Sequence, residues 1–486
     1  MKARHAIILT SISLLLAGLA AAQRGPVRAK PQPPPAKEAE PAKPAQTPSP
    51  GQEGTTIKPP IGYETYIALP DFQPRGSDGR VRDIVKVINE VLWNDLKYAG
   101  FFKMPSKSFY PLRSIADPAA IHYDEWRALQ PRVDFAIVGN VTVSGHEIAL
   151  EGWVLDVPKG VEAFGKRIRG GADQAREVAH RFADILVYQL TAGASRGIAM
   201  TKIAYAASPR VGVNREVFIM DYDGGNPRQF SRTNTDNTFP DWSPDNNRLV
   251  FGSRRAIGTQ DLTVLSRVDG GRQPFPASNT FSGSPNFSPD GKRIAFARRT
   301  PETNAVDIYV ADAGGQNLAN LTNGRHINTS PCWSPTGQQI AFISDRSGVR
   351  HIYIMNADGS NVRKVLNEGG NADSPDWSPD GQSIAFTWKP QRGMYQDIYV
   401  MNVVTGKIFQ LTSNAGNNES PSWAPDGKHL TFQSDRAGGS QIYIMLSDGT
   451  EPRRLTASGH NTSPAWSKYY DTGLTPPPPA PAAQAR

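Results

Sequence analysis

Residues 331–337, Pro-Cys-Trp-Ser-Pro-Thr-Gly, are one of six near-copies of a single motif in the second half of this 486-residue chain. Each copy has a proline, a variable residue and an aromatic residue, followed by Ser-Pro-Asp-Gly or a variant of it. The aromatic residues recur at intervals of 43 to 46 residues, at Trp242, Phe287, Trp333, Trp377, Trp423 and Trp466. A period of this length is typical of four-stranded propeller blades.

Each repeat carries four strand-like segments. In the third complete repeat they are residues 331–334, 340–343, 352–355 and 362–366, separated by turns rich in Asn, Asp and Gly. The third segment, Ile-Tyr-Ile-Met, is β-branched and aromatic, as strands prefer. The fourth carries Arg and Lys, which suit an edge strand that must not pair with other chains. We therefore predict one four-stranded sheet per repeat.

The two ends of the repeat region complete one another. The first repeat begins late, because residues 202–205, 217–220 and 228–230 match the second, third and fourth strands without an innermost strand before them. The last repeat has only its innermost strand, at 464–467. If this strand joins the first repeat, every strand type occurs six times and the ring closes without an open edge. We predict six blades over residues 201–469.

Upstream, residues 61–195 alternate between strand and helix patterns, which predicts a small α/β domain before the all-β propeller. Strands are expected at 66–69, 135–138 and 148–155, and an amphipathic helix at 173–190. An earlier helix is indicated by apolar residues at helical spacing, Val81, Ile84, Val85, Ile88, Leu92 and Leu96. This region has no Walker phosphate loop, dinucleotide glycine fingerprint or metal-binding histidine pair.

The N-terminus predicts export, and both chain ends predict disorder. Residues 1–22 combine an early positive charge, a short apolar run and small residues, which is typical of a cleaved signal peptide. Residues 23–60 and 470–486 are rich in Pro and Ala and are expected to be a disordered linker and tail. We expect a periplasmic protein without direct membrane insertion. The single cysteine, Cys332, excludes an internal disulfide, and its strand position favours a small buried hydrophobic role.

The order of these segments resembles the TolB family, the periplasmic propeller component of the Tol-Pal envelope system. The resemblance lies in the repeat motif, with its Ile-Ala-Phe, Ser-Asp-Arg and Met-Asn-Ala-Asp-Gly-Ser segments, and in residues 66–72 and 134–141 of the first domain. It implies a non-enzymatic scaffold that binds a peptidoglycan-associated lipoprotein, Pal, and Tol proteins, and that maintains the envelope during cell division. A monomer without cofactors is expected.

The N-terminus departs from the family pattern. In TolB proteins the residues after signal cleavage form a short segment that binds TolA or folds back on the protein. Here the Pro-rich tract takes that position, and residues 55–60 are the nearest candidate. Binding of a TolA-like inner-membrane protein therefore stays open.

The loops that join an outer strand to the next innermost strand should converge around one mouth of the central channel. The resemblance places the Pal-facing positions at Phe281, Ser284 and Thr329. Equivalent loops of this and other blades add four more candidates for partner binding, Asn328, Asp373, Glu419 and Thr462. The alternative to partner binding is a structural role within each turn, because Asn, Ser and Thr side chains commonly form hydrogen bonds with backbone groups there.

Other functions fit less well. The string Gly193-Ala194-Ser195-Arg196-Gly197 matches a nucleophile elbow, but the strand-turn-helix context of a peptidase is missing. Histidines lie in different repeats without ligand spacing, so no metal site is predicted, although a calcium ion in the channel stays open. A net charge of +8 without a dense basic stripe disfavours nucleic-acid binding. The alternative function is a secreted propeller that binds or converts a small molecule such as a sugar.

Overall fold

The computed structural model describes residues 64–470, except 114, 257–258, 279 and 392–393. The predicted signal peptide and Pro-rich linker lie outside the described residues, as does the tail from residue 471 onward. Among the described residues, no helix combines the length and apolar composition that a membrane crossing needs.

The first domain is a mixed sheet with helices packed against it. Its strand order is β3-β1-β4-β5-β6, and β2 pairs with β4. The strands are β1 (Thr65–Ala68), β2 (Gln73–Arg75), β3 (Phe102–Lys103), β4 (Phe135–Ser144), β5 (Glu147–Asp156) and β6 (Val161–Gly171). The helices are α1 (Val81–Tyr98), α2 (Tyr123–Arg127) and α3 (Ala175–Leu190), with 3₁₀ turns at Lys107–Phe109 and Pro118–Ala120.

The sequence predictions for this domain miss β6. Of its side chains only Ile168 is buried, and the strand is otherwise exposed or half-buried. It is an edge strand with Lys and Arg on its surface, so it lacks the apolar alternation that identifies the other strands. Both long helices lie near their predicted positions, and Phe182 of α3 packs so closely on Gly152 of β5 that a Cβ there would lie 2.2 Å from the ring.

The rest of the chain forms six four-stranded sheets, blades I to VI, which confirms the predicted propeller. Blade I is β30-β7-β8-β9 and the others follow in chain order from β10. The innermost strands of blades I to VI are β30 (His460–Trp466), β10 (Asp236–Trp242), β14 (Ser282–Phe287), β18 (Asn328–Trp333), β22 (Asn371–Trp377) and β26 (Asn418–Trp423). The second strands are β7 (Lys202–Ser208), β11 (Arg248–Ala256), β15 (Arg293–Arg299), β19 (Gln339–Ser344), β23 (Ser383–Lys389) and β27 (His429–Ser434).

The outer half of each blade is shorter. The third strands are β8 (Glu216–Asp221), β12 (Thr259–Ser266), β16 (Val306–Asp312), β20 (His351–Asn356), β24 (Asp397–Asn402) and β28 (Gln441–Leu446). The outer strands are β9 (Arg228–Gln229), β13 (Arg272–Gln273), β17 (Ala319–Asn320), β21 (Arg363–Lys364), β25 (Ile408–Gln410) and β29 (Arg453–Arg454). Basic residues on four of these six edges agree with the expectation that the edges are protected from pairing.

The ring closes where the sequence predicts. β30 pairs antiparallel with β7, with Trp466 opposite Ile203. At the same seam the backbone N–H of Lys202 donates to Ser467 Oγ over 2.9 Å, and the N–H of Ser467 donates to the Lys202 carbonyl over 2.9 Å. The last strand of the chain therefore completes the first blade.

A ring of hydrogen bonds ties neighbouring blades together inside the channel. At five of the six blade junctions, the side chain of the residue before one blade's aromatic accepts the backbone N–H of the next blade's aromatic, over distances from 2.6 to 3.3 Å. The accepting side chains are Asp241, Asn286, Cys332, Asp376 and Ser422. Cys332 is buried, as predicted, but it also belongs to this ring.

The two domains share one apolar core. Residues of α1 and α3 pack with Tyr222 of blade I, Ile442 of blade VI and Trp466 at the seam. The contacts involve the turn after β8 and the start of β27. These positions lie at the opposite ends of their blades from the loops that enter β26 and β30. The α/β domain therefore packs on one face of the propeller, at blades I and VI, and these contacts leave the opposite face, with the loops that enter β26 and β30, free.

Candidate functional site: the free mouth of the propeller channel

The free end of the channel opens into a polar cavity of about 530 Å³. It is built by loops and strand ends of blades I, V and VI, together with Phe239 of blade II. We call this cavity the mouth. Side chains that line it include Val211, Arg215, Phe239, Asp373, Glu419, Asp435, His460 and Thr462.

Six residues with left-handed backbone form a collar where the mouth narrows into the channel. Each innermost strand carries a bulge, and the bulged residue has φ between 47° and 53°. Five of these residues are serines and the sixth is phenylalanine: Ser284, Ser330, Ser374, Ser420, Ser463 and Phe239. A bulge re-aims side chains, so the collar projects into the channel.

Phe239 is the exceptional member of the collar. A bulky side chain in the left-handed region is rare and costs on the order of 1 kcal/mol or more. Its side chain is 39% exposed, and Val211, which lines the same cavity, is 76% exposed. Strained and exposed apolar groups of this kind concentrate at binding sites, so the blade I and II side of the mouth offers an apolar anchor.

The opposite side of the mouth is acidic. Asp373 accepts from Arg350 Nη1 over 2.7 Å and from its neighbour's N–H, Ser374 N, over 2.8 Å. Glu419 Oε2 accepts from Gln433 Nε2 over 2.6 Å. Burial raises the pKa of Glu419, and the charges of Asp373 and Asp435 raise it further. This cluster of carboxylates would favour basic or amide groups on a partner.

Arg215 supplies a fixed positive charge on the blade I side. Its Nε and Nη2 donate to the two oxygens of Asp236 over 2.7 and 2.9 Å, and its Nη1 donates to Thr462 Oγ1 over 3.3 Å. Burial lowers the pKa of the neighbouring His460, and the charge of Arg215 lowers it further. The mouth is therefore electrostatically asymmetric, with Arg215 facing an acidic half.

The structure brings four of the seven predicted site residues to the channel or its mouth. Ser284 belongs to the collar, and Asp373, Glu419 and Thr462 line the mouth. Thr462 is nevertheless buried, so it supports Arg215 more than it presents a surface.

The remaining three predicted residues lie where the innermost strands of blades III and IV begin: Phe281 immediately precedes β14, and Asn328 and Thr329 are the first residues of β18. Phe281 and Thr329 are half-buried, and the ring of Phe281 packs beside Gly283, where a Cβ would lie 2.9 Å from it. Asn328 is fully buried: its amide donates to Val306 O and Asp307 Oδ1, and its oxygen accepts from Arg346. The prediction that Asn328 faces a partner is corrected here, because its polar atoms are used to hold the loop.

Sequence reasoning missed Phe239 and Val211. Phe239 could have been found by aligning Asn237-Thr238-Phe239-Pro240 with Asn328-Thr329-Ser330-Pro331, which places phenylalanine at a position that is serine in the other five repeats. Val211 lies in the loop between β7 and β8, and other blades have loops of similar length between their second and third strands, so neither length nor position signalled its role.

Deeper in the channel, two carboxylates face one another from blades II and V. Burial raises the pKa of Asp241 to about 7. The hydrogen bond from the Phe287 N–H and the charge of Lys468 lower this pKa, but they do not outweigh burial. Burial likewise raises the pKa of Asp376. These carboxylates are the donors that a cation in the channel would use. His180, Asp221 and Asp223 also lie close together at the domain interface, where Arg176 and Lys202 already contact the two carboxylates.

The segment that resembles a nucleophile elbow has a structural role. Ser195 is buried between α3 and β7, and its Oγ accepts the N–H of Gly197 over 3.1 Å. The serine hydroxyl therefore stabilises the connection between the two domains.

Comparison with known proteins identifies relatives of both domains. The family model described as the TolB amino-terminal domain matches residues 56–163, and the one described as the TolB beta propeller domain matches residues 188–395 and 364–472. A Tol-Pal system protein TolB of Bordetella pertussis is 30% identical over 290 residues, which cover 58% of this chain and 61% of that protein. The TolB of Geobacter metallireducens is 35% identical over 198 residues, 41% of this chain and 45% of that protein.

The matched region thus spans less than two thirds of the length of these curated relatives. Structural similarity covers more of the chain than these sequence matches do. A crystal structure of TolB from Acinetobacter baumannii superposes with a TM-score of 0.72 and 23% sequence identity, covering 84% of this chain and 97% of that one.

Proposed function

This chain belongs to the TolB family, and we propose that it is a non-enzymatic periplasmic scaffold of the Tol-Pal system that docks a Pal-like lipoprotein at the free mouth of its propeller. Binding of Tol partners through other surfaces, including a TolA-like protein, forms part of the same proposal. Membership of the family supports a role in the Tol-Pal system, and the features of the mouth support docking at that surface.

The observation that carries the docking proposal is Phe239. It replaces a repeated serine, occupies strained backbone and exposes its ring beside Val211. A ring of six similar loops would otherwise present nearly uniform polar groups. A single apolar anchor, with acidic groups across the cavity, gives a partner a defined orientation because hot spots at interfaces are few and aromatic.

Binding measurements on Phe239→Ser test this proposal. The substitution restores the residue found at the other five collar positions and is expected to weaken binding of the soluble domain of the organism's Pal-like lipoprotein about tenfold, or ~1.4 kcal/mol. Titration calorimetry with purified proteins measures the affinity.

The matched control is Phe409→Ser. Phe409 is also exposed, but it lies on the outer strand β25, away from the mouth. We expect wild-type affinity for this variant. Equal affinities for wild type and Phe239→Ser would show that the lipoprotein docks elsewhere.

A further inference from the structure

Two buried histidines lie at the interface between the α/β domain and the propeller. His180 of α3 is 1% exposed and His429 at the start of β27 is fully buried. Each has a carboxylate at Nδ1: Asp95 Oδ2 lies 2.8 Å from His180, and Asp426 Oδ2 lies 2.7 Å from His429. Buried histidine–carboxylate pairs at a domain boundary couple the packing of the domains to protonation.

The contacts of His429 define its charge. Its Nε2 lies 2.8 Å from the backbone carbonyl oxygen of Tyr98, the last residue of α1. A carbonyl oxygen and a carboxylate can only accept hydrogen bonds, so both ring nitrogens must carry hydrogen to satisfy them. The arrangement is therefore that of an imidazolium, and it joins blade VI directly to α1.

His180 joins the same helix to blade I. Its Nε2 points toward Asp221 Oδ2, 3.8 Å away, and within the described part of the chain this buried nitrogen has no hydrogen-bond partner. A neutral ring that donates to Asp95 would aim a lone pair at a carboxylate. A protonated ring places an N–H there, which is favourable. Asp95 also accepts from Tyr222 OH of blade I over 2.7 Å.

Charge balance supports protonation of His180. The carboxylates around it are Asp95 from α1 and Asp221 and Asp223 from blade I. Arg176 of α3 donates to Asp223 over 2.5 Å, and Lys202 of β7 lies 2.6 Å from Asp221. Two fixed cations thus face three carboxylates, and a third positive charge balances the cluster.

This charge balance also disfavours a metal ion among His180, Asp221 and Asp223. Oxygens of both carboxylates already contact Arg176 or Lys202, and a divalent ion would leave excess positive charge in a buried site. A proton on His180 satisfies the geometry without displacing either cation.

We propose that His180 and His429 form a proton-dependent lock between the two domains, in which the two rings hold α1 against blades I and VI and loss of the proton on His180 loosens the interface.

Other ionisable groups face the lock and set its range. Burial raises the pKa of Asp184, on α3, to about 7, although the N–H groups of Ala199 and Met200 lower it. Burial also raises the pKa values of Tyr222 and, beside His429, of Tyr98. The further charged groups near His429 are Lys428, Glu451 and Arg453.

The direction of the pH dependence follows from His180. Burial alone would lower its pKa, but the charges of Asp95, Asp223 and Asp221 and the hydrogen bond to Asp95 outweigh burial, so the pKa is raised above 6.5. A raised pKa means that the stabilisation is complete below about 6.5 and is lost as the pH rises through the folded-state value. The interface should be tightest in mild acid and loosen in mild alkali.

Hydrogen exchange of the whole chain at pH 6 and pH 8.5, corrected for intrinsic exchange, tests the lock. We expect amides in the last turns of α1 and in the turn after β8 to lose at least about fivefold protection at the higher pH. In His180→Gln this pH difference should shrink, whereas His146→Gln, at an exposed turn, should behave as wild type. Equal protection at both pH values, or a pH difference unchanged in His180→Gln, would overturn the proposal.

A second measurement covers the case in which an interface variant fails to fold. In wild-type protein with isotope-labelled histidine, nitrogen chemical shifts report the charge of each ring directly. Two buried imidazolium signals at pH 6 support the lock. Neutral rings at pH 6, or stoichiometric zinc whose removal loosens the interface at pH 6, would refute it.

Discussion

Replacing Trp466 by alanine is expected to lower the free energy of unfolding by about 3–5 kcal/mol, the usual cost of truncating a buried tryptophan. Trp466 is 3% exposed and lies in the core that the two domains share. Its indole N–H donates to Thr201 Oγ1 over 2.8 Å, and its backbone N–H donates to Ser422 Oγ over 3.1 Å. The substitution therefore damages the seam, the neighbouring blade and the domain interface together.

Urea unfolding measures this loss, and Trp377→Ala is the control. Trp377 is the equivalent aromatic of blade V, and its indole bonds Gly381 within its own blade. Both variants should be less stable, but only Trp466→Ala should make the strand His460–Trp466 accessible to protease under native conditions. A loss below 1 kcal/mol for Trp466→Ala would contradict the view that this strand locks the ring.

The double substitution of Ser284 and Thr329 by arginine should weaken lipoprotein binding at least 100-fold, or ~2.7 kcal/mol. Ser284 lies in the collar and Thr329 near the start of β18 in the next blade, and both are half-buried. Two long cationic side chains at these places would obstruct the approach to the mouth and would have to be desolvated by a docked partner.

The matched control carries arginine at Val268 and Val404. Both are highly exposed and lie in turns between a third and an outer strand, at the opposite end of their blades from the mouth. This variant has the same added charge and should bind normally in surface plasmon resonance. Similar affinities for the two double variants would exclude docking at this face.

The fold could be predicted from the sequence because each blade repeats one local pattern. Counting strand types was enough to place the seam at Trp466, since the pairing partners of a blade are neighbours in the chain except at that point. Strand β6 was missed because it is an exposed edge without apolar alternation.

The site was harder to predict from the sequence, for two physical reasons. A loop asparagine has the same appearance whether it faces solvent or, as Asn328 does, is buried to bond backbone and side-chain groups. The domain interface depends on contacts between distant residues: His180 meets Asp95 and His429 meets Tyr98, pairs 85 and 331 positions apart. Contacts between residues so far apart in the chain cannot be predicted from a local sequence pattern.

The most direct test of docking at the mouth is photo-crosslinking in intact cells with a photoreactive phenylalanine at position 239. The account predicts a crosslink from position 239 to the Pal-like lipoprotein and none from position 161, an exposed site on β6 of the α/β domain. A lipoprotein crosslink from position 161 with none from position 239 would contradict it.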